Sequence, residues 1–306
     1  MKKPDVLGQL ADIDIRLLRV FHAVAQAGGF SAAEMELNIG RSTISRHIKD
    51  LEIRLGMTLC IRGRAGFSIT DEGQRVYEAS LRLISSINEF RTEINEVHRK
   101  MTGKLVIALY DKTATNPNCK IYKAIAQFDK LAPSVNIELF VKSLNDIDRG
   151  VMDGTYHIGV APQHRASASL DYFSLFDEPM HLYCGQGHPL YTQPDSNISK
   201  KDILHEKYVG LGYHSPNMER GRELGMTRAA TAYDQEGVVT LLLSGSYIGY
   251  LPAHYASNFV DKGLIRAIAT KTFQYNCEFF ATCRHSPKPN RIVASFLESI
   301  LSVHKK

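Results

Sequence analysis

Cysteine is scarce and shows no paired spacing: Cys60, Cys119, Cys184, Cys277 and Cys283 are odd in number, scattered, and contain no C-x-x-C pair. That spacing argues against a disulfide framework and against structural zinc, and it suits a reducing compartment. Long apolar runs are also missing. The most hydrophobic stretch, Val238 to Tyr255, is broken by Ser244, Gly245, Ser246, Gly249 and Pro252 and is too short to span a bilayer. The start, Met1-Lys2-Lys3-Pro4-Asp5, is basic, but no apolar segment follows before Asp12 and Asp14, so a secretory signal is not expected. The expectation is a cytoplasmic protein with no membrane partner. There is no P-loop, no G-x-S-x-G and no H-E-x-x-H, and the histidines are dispersed. No enzyme, no cofactor, no catalytic residue and no metal ligand is therefore expected.

What is present is an ordinary globular composition. The 306 residues, 44% hydrophobic and 23% charged, are enough for two or three structural units. A net charge of +5 does not by itself announce a polyanionic partner, but its distribution does more. Between Ile39 and Phe67 lie Arg41, Arg46, Lys49, Arg54, Arg62 and Arg64 against only Asp50 and Glu52. From Gly103 onward the chain is nearly balanced, with 22 basic and 19 acidic residues. The basic excess thus sits in one short segment, as a phosphate-facing surface requires.

That segment has helical punctuation. Ile15, Leu17, Leu18, Phe21, Val24 and Ala25 recur at helical spacing, and Gly28-Gly29 ends the run. Ser31 is an expected N-cap for a short second helix, Ala32 to Leu37, with Glu34 completing a capping box. A turn at Asn38-Ile39-Gly40 leads to a third helix from about Arg41 to Leu55. Two helices across a tight glycine turn, the second rich in cations, form a helix-turn-helix pattern. At 100° per residue, Ile44, Ile48, Leu51 and Leu55 share one narrow sector, with Ser42, Arg46 and Lys49 opposite and Ser45 on the flank. A recognition helix offers its N-terminal part to the major groove, which selects Arg41, Ser42, Thr43, Ser45, Arg46 and Lys49. Arg46 suits either a guanine edge or a phosphate. Two short apolar runs then flank Arg62-Gly63-Arg64-Ala65-Gly66, a β-hairpin wing that would set Arg62 and Arg64 against the DNA backbone or minor groove.

From Asp71 to about Met101 there is no proline. Val76, Ser80, Leu83, Ile87, Phe90, Ile94, Val97 and Met101 alternate at gaps of four and three, a heptad seam. Such a seam asks for a partner helix, and a second copy of the chain supplies one, so a homodimer is expected.

The run Leu17-Leu18-Arg19-Val20-Phe21-His22-Ala23-Val24-Ala25-Gln26-Ala27-Gly28-Gly29-Phe30-Ser31-Ala32-Ala33-Glu34 resembles the opening of LysR-type transcriptional regulators. So do Ser45-Arg46-His47-Ile48-Lys49-Asp50-Leu51-Glu52-Ile53-Arg54-Leu55-Gly56 and the wing end Ile69-Thr70-Asp71-Glu72-Gly73. The match is dense over about the first seventy residues and looser beyond. It implies an α/β protein with an N-terminal winged helix-turn-helix (1–70), a long dimerising linker helix (71–101) and a two-lobed, periplasmic-binding-protein-like effector domain (102–306). It also implies double-stranded promoter DNA as partner, a small-molecule effector, and assembly to a homotetramer. Where the family usually has Ser-Gln-Pro, this chain has Gly40-Arg41-Ser42, so base preference there does not carry over.

In the last two hundred residues strands and helices alternate, the pattern of a parallel sheet with covered faces. Expected strands are Gly103 to Leu109, Val135 to Val141, His157 to Ala161, Met180 to Cys184, Tyr208 to Leu211, Tyr247 to Pro252 and Glu278 to Cys283, with a final helix from Arg291 to Val303. The lobes would divide at about 103–167 with 270–306, and 168–269. Ligands in such lobes sit beyond the carboxyl ends of strands. That selects Tyr110, Thr113 and Thr115 in the first lobe and Tyr213, His214 and Ser215 in the second, for an effector that is a carboxylate with a body open to aromatic character. Cys277 and Cys283 raise the thought of redox sensing, but no neighbouring cation cluster marks a lowered thiol pKa.

Overall fold

A computed structural model describes residues 10–63, 66–97, 101–163 and 165–305. The chain divides into two compact units, Met1–Arg91 with Asp153–Thr155, and Thr92–Met152 with Tyr156–Lys306.

In the first unit α1 (Asp12–Gln26), α2 (Phe30–Leu37) and α3 (Arg41–Leu55) precede a hairpin of β1 (Cys60–Gly63) and β2 (Gly66–Ile69), and α4 (Asp71–Val97) follows. The hairpin is antiparallel, pairing Cys60 with Ile69 and Arg62 with Phe67. Phe21, Val24, Ile44, Ile48, Leu51 and Leu59 form the centre of one small core. Val76, Tyr77 and Leu83 at the start of α4 pack against it. The α4 start is capped by Thr70, whose hydroxyl accepts from the Gly73 N–H at 2.9 Å and donates to the Thr58 carbonyl at 2.7 Å. Gly73 is required by close approach: a Cβ there would lie 2.0 Å from the Leu59 carbonyl oxygen.

The second helix starts otherwise than expected. Its N-cap is Gly29, and no side chain caps it; Ser31 is exposed within the helix. Gly29 takes a φ of 155°, and the helix begins directly after it at Phe30, whose buried ring packs edge-on against Phe67 at 5.8 Å. Glu34 reaches forward instead, accepting from the Arg41 N–H at the start of α3. Since the α3 N-cap is Gly40, which has no side chain to offer, the carboxylate of the preceding helix satisfies that orphan donor.

In the second unit, among the described residues, nine strands form one sheet. The strands are β3 (Gly103–Leu109), β4 (Val135–Val141), β5 (Ile158–Pro162), β6 (Leu170–Gly185), β7 (Tyr208–Leu211), β8 (Arg228–Ala232), β9 (Ile248–Pro252), β10 (Ile265–Ala267) and β11 (Gln274–Arg284). Their order is β4-β3-β5-β11-β6-β9-β7-β8, with β10 also pairing β6. The helices are α5 (Ile121–Leu131), α6 (Leu144–Asp153), α7 (Lys200–His205), α8 (Pro216–Leu224), α9 (Gln235–Leu243), α10 (Ala253–Asp261) and α11 (Arg291–His304).

The sheet is mixed, which corrects the expectation of a parallel one. Pairing is parallel for β3 with β4 and β5, and for β7 with β8 and β9. The long strands β6 and β11 run antiparallel to each other and to their neighbours β9 and β5. Each parallel group is one lobe, and the two long strands pass through both. The first half of β6 is not legible in the sequence, because Pro179 looks like a boundary. The proline is tolerated where it stands because pairing with β9 begins only at the next residue, Met180.

Candidate functional site

The exposed side of α3 is built from its buried one. Ile44, Ile48, Leu51 and Leu55 are all buried, and Arg41, Ser42, Thr43, Arg46 and Lys49 are exposed, with Ser45 half-buried between them. The helix is closed at its C-terminus by Gly56, left-handed at φ 64°, whose N–H bonds back to the carbonyls of Glu52 and Ile53. The surface therefore offers two guanidiniums, an ammonium and short hydroxyls on one rigid face, the set that hydrogen-bonds base edges and phosphates. Arg62 lies on β1, with its side chain outside the described residues, as is Arg64 altogether.

One cation of the basic segment is engaged in structure. Arg54 grips the buried carboxylate of Asp14 through two nitrogens, Nε to Oδ1 and Nη2 to Oδ2 at 2.9 Å. Asp14 also accepts from the Ala11 N–H at 2.8 Å. The Arg54 hydrogen bond, followed by the Ala11 N–H, holds the Asp14 carboxyl below its ordinary range. A count of charges along the sequence could not separate this arginine from those on the open face.

Further along α4, Phe90 is 63% and Ile94 48% exposed, two large apolar side chains of the heptad seam that the single chain leaves uncovered. Val76 and Leu83, earlier in the same seam, rest on the core of the first unit.

The second candidate site lies where β3 and β7 end. Tyr110 and Tyr213, one from each lobe, meet with their hydroxyls 2.9 Å apart. Three further bridges join the lobes here. Asp111 Oδ2 accepts from the Gln235 N–H at 2.9 Å and so caps α9 from the opposite lobe. Lys112, left-handed at φ 60°, donates to Glu236 at 2.5 Å and lies 4.9 Å over the Tyr255 ring. Thr115 Oγ1 lies 2.9 Å from His254 Nδ1 at the start of α10. The other His254 nitrogen is 2.8 Å from the buried Glu178 of β6, which also accepts from Asn116 at 3.1 Å. A non-glycine residue at positive φ in such a place is the kind of strain that recurs at functional sites.

Of the six residues expected here, Tyr110, Tyr213 and Thr115 take part in these bridges, and Thr113 is buried beside them. Ser215 and His214 have other tasks. The Ser215 hydroxyl accepts from the Met218 N–H as the N-cap of α8, and His214 Nε2 lies 3.0 Å from Glu219. The segment expected as a loop continues into this helix, whose Ser-Pro start was a legible signal.

Residues that sequence reasoning missed stand behind them. Asn217 Nδ2 is a buried polar atom with no hydrogen-bond partner among the described residues. Arg220 Nε and the hydroxyls of Tyr250 and Tyr275 are buried without a well-formed one, Arg220 lying beside the Tyr250 hydroxyl and Cys277 beside that of Tyr275. Tyr250 and Tyr275 pack ring to ring at 5.1 Å, and Tyr208, 6.3 Å from Tyr250, donates to Asn217 Oδ1 at 2.8 Å. Burial raises the Tyr213 hydroxyl to about 12 and that of Tyr275 well above its usual value, so both remain protonated donors near neutral pH. Burial also pushes the Cys277 thiol up and the Cys283 thiol to about 11, against thiolate chemistry at either. Among the described residues no group of three or more His, Cys, Asp and Glu is placed to hold a metal ion, and no helix is long and apolar enough to cross a membrane.

Comparison with known proteins decides what these surfaces belong to. Residues 15–74 match the family model of the bacterial regulatory helix-turn-helix proteins of the lysR family, and residues 98–305 match the LysR substrate binding domain. The chain belongs to the LysR family. The HTH-type transcriptional activator BauR of Pseudomonas aeruginosa is 40% identical over 294 residues, covering 96% of each chain. The crystal structure of CbnR, a LysR family transcriptional regulator, shares the fold with a TM-score of 0.66 at 18% identity, over 95% of this chain and 99% of that one. Full-length CbnR complexed with its target DNA gives 0.63 at 19% identity, over 94% and 99%. This LysR protein is thus a DNA-binding transcriptional regulator with an effector-binding domain, and not an enzyme.

Proposed function

We propose that this regulator acts in the cytoplasm as a homodimer paired through α4, assembling to a homotetramer, and that it activates transcription as BauR, by its name, does. It reads a promoter operator with Arg41, Ser42, Thr43, Ser45, Arg46 and Lys49 of α3 and contacts the backbone with Arg62 and Arg64 of the wing. The exposed Phe90 and Ile94 support the pairing, since side chains of that size at heptad positions are covered in a dimer.

The effector is a small organic carboxylate held between the lobes, beside Tyr110, Thr113, Thr115, Tyr213, His214 and Ser215. The observation that carries this reading is the group of buried donors without a well-formed partner, Asn217 Nδ2 and Arg220 Nε of α8, which follows β7, and the Tyr275 hydroxyl of β11. Buried donors without acceptors cost free energy that an anionic oxygen offsets. Calorimetry of the full chain against a panel of small acids tests it. A binder is expected whose affinity falls about tenfold in Tyr275→Phe, the loss of one hydrogen bond of roughly 1–1.5 kcal/mol. The ligand should shift operator protection and be recovered unchanged, because regulation requires unequal affinity for two states and not turnover. Binding indifferent to Tyr275→Phe, or consumption of the acid, overturns the reading.

A further inference from the structure

We infer that the second lobe holds another ligand site, for a small monocarboxylate with an apolar body, in the cavity between α8 and the β7–β8 pair. The cavity measures about 320 Å³, at the small end of the roughly 300–1,000 Å³ that ligand pockets occupy. It goes beyond the interlobe site, from which it differs in its residues.

Two glycines make room for the ring that walls the cavity. Gly210 of β7 and Gly221 of α8 both border the cavity, and a Cβ at either would come within 3.0 Å of the Tyr208 ring. The rest of the lining is largely apolar, with Leu211, Met218 and Met226 beside Tyr208. Methionine side chains adapt to varied apolar shapes, so the cavity suits a ring or a short chain equally.

The charged residues of the lining are Arg222 and Arg228, both exposed, and among the described residues no carboxylate lines it. Arg228 is held in place, with Nη1 donating to the Leu211 carbonyl at 2.9 Å. Its stem crosses Gly210, where a Cβ would meet Cδ at 3.2 Å. The carboxylates of α8 are engaged by other partners, Glu219 by His214 and Glu223 by Arg220. An apolar chamber with two guanidiniums and no acidic side chain in its lining is complementary to an amphipathic anion, since a guanidinium fork matches a carboxylate. The cavity also has a physical link to the interlobe site. Tyr208, whose ring is the cavity wall, donates its hydroxyl to Asn217, one of the residues with an unpartnered donor there.

Octanoate is the probe, with octanol as its neutral counterpart, added to the full chain carrying ¹³C-methyl methionine. Saturable shifts of the Met218 and Met226 methyl resonances are expected with octanoate. At least tenfold weaker binding is expected for octanol and for the Arg222→Glu/Arg228→Glu double variant, whose changes lie on exposed residues. Shifts equal for octanoate and octanol, or unmoved in the double variant, would show an apolar cavity without anion recognition and overturn the site. So would the lack of a saturable shift at Met226. Shifts that survive the arginine changes but vanish in Tyr275→Phe would locate octanoate between the lobes, which refutes this site and leaves the interlobe reading standing.

Discussion

The two units of this LysR regulator handle polar side chains in opposite ways. In the first, Arg41, Arg46 and Lys49 face outward from a helix whose inner side is wholly aliphatic, and the main buried charge, Asp14, is gripped by Arg54. In the second, polar groups bridge the lobes, from the buried Tyr110 through the half-buried Asp111 and Lys112 to the exposed Thr115, and further donors are buried without a well-formed partner. The difference teaches what each unit has to recognise. A DNA surface is large, charged and regular in geometry, so a rigid face displaying donors is sufficient. A small effector must be surrounded, so its donors are buried, and burial makes their satisfaction a switchable quantity.

The comparison can be broken most severely at Gly73. A side chain there meets the Leu59 carbonyl oxygen, so Gly73→Ala should cost the first unit on the order of 3 kcal/mol. Calorimetric unfolding should show one transition lowered and effector binding by the second unit retained; loss of both together would deny that the units are energetically separate. Next in size is the linker. Ile87→Asp with Ile94→Asp sets carboxylates opposite one another across the α4 pair, and light scattering at matched concentration should show the dimer dissociated. An unchanged mass with intact fold would refute the seam.

Arg46→Ala should weaken operator binding by roughly 1–3 kcal/mol and relax base preference, measured at fixed salt. Arg62→Ala should weaken binding evenly across sequences and reduce the salt slope by about one. Equal behaviour of the two variants would mean that helix and wing are not divided into base reading and backbone contact.

Asp14→Asn is expected to cost about 1–2 kcal/mol in the first unit near neutral pH. Because the folded carboxyl is held below its ordinary value, chiefly by Arg54, its contribution is complete above about pH 4 and is lost as pH falls through the lowered value. The variant and the parent should therefore converge in acid; a gap that widens there would contradict the ion pair. Smallest is a contrast of two serines. Ser215→Ala removes the α8 cap and should cost about 1 kcal/mol, whereas Ser31→Ala should stay within about 0.5 kcal/mol. Urea unfolding of both variants checks it.

The sequence alone determined the first unit almost to the residue. Its helices, the Ile44/Ile48/Leu51/Leu55 stripe, the hairpin and the start of α4 at Thr70 follow from contacts within a few turns of chain, where periodicity and capping decide the conformation. Ser31 failed because the helix already begins at Phe30, whose buried ring packs edge-on against Phe67, nearly forty residues away. In the second unit the strands were legible where they alternate with helices. The mixed sheet and the passage of β6 through Pro179 were not, because a strand's direction and partners are set by pairing across a hundred residues. The same holds for the sites. An exposed cation on an amphipathic helix can be read by angle, but the removal of Arg54 to Asp14, the capping of α9 by Asp111, and the buried donors of Asn217, Arg220 and Tyr275 that lack a well-formed partner exist only once distant segments are brought together. Burial is a property of the folded chain, and only tertiary structure decides which polar atoms it leaves without a partner.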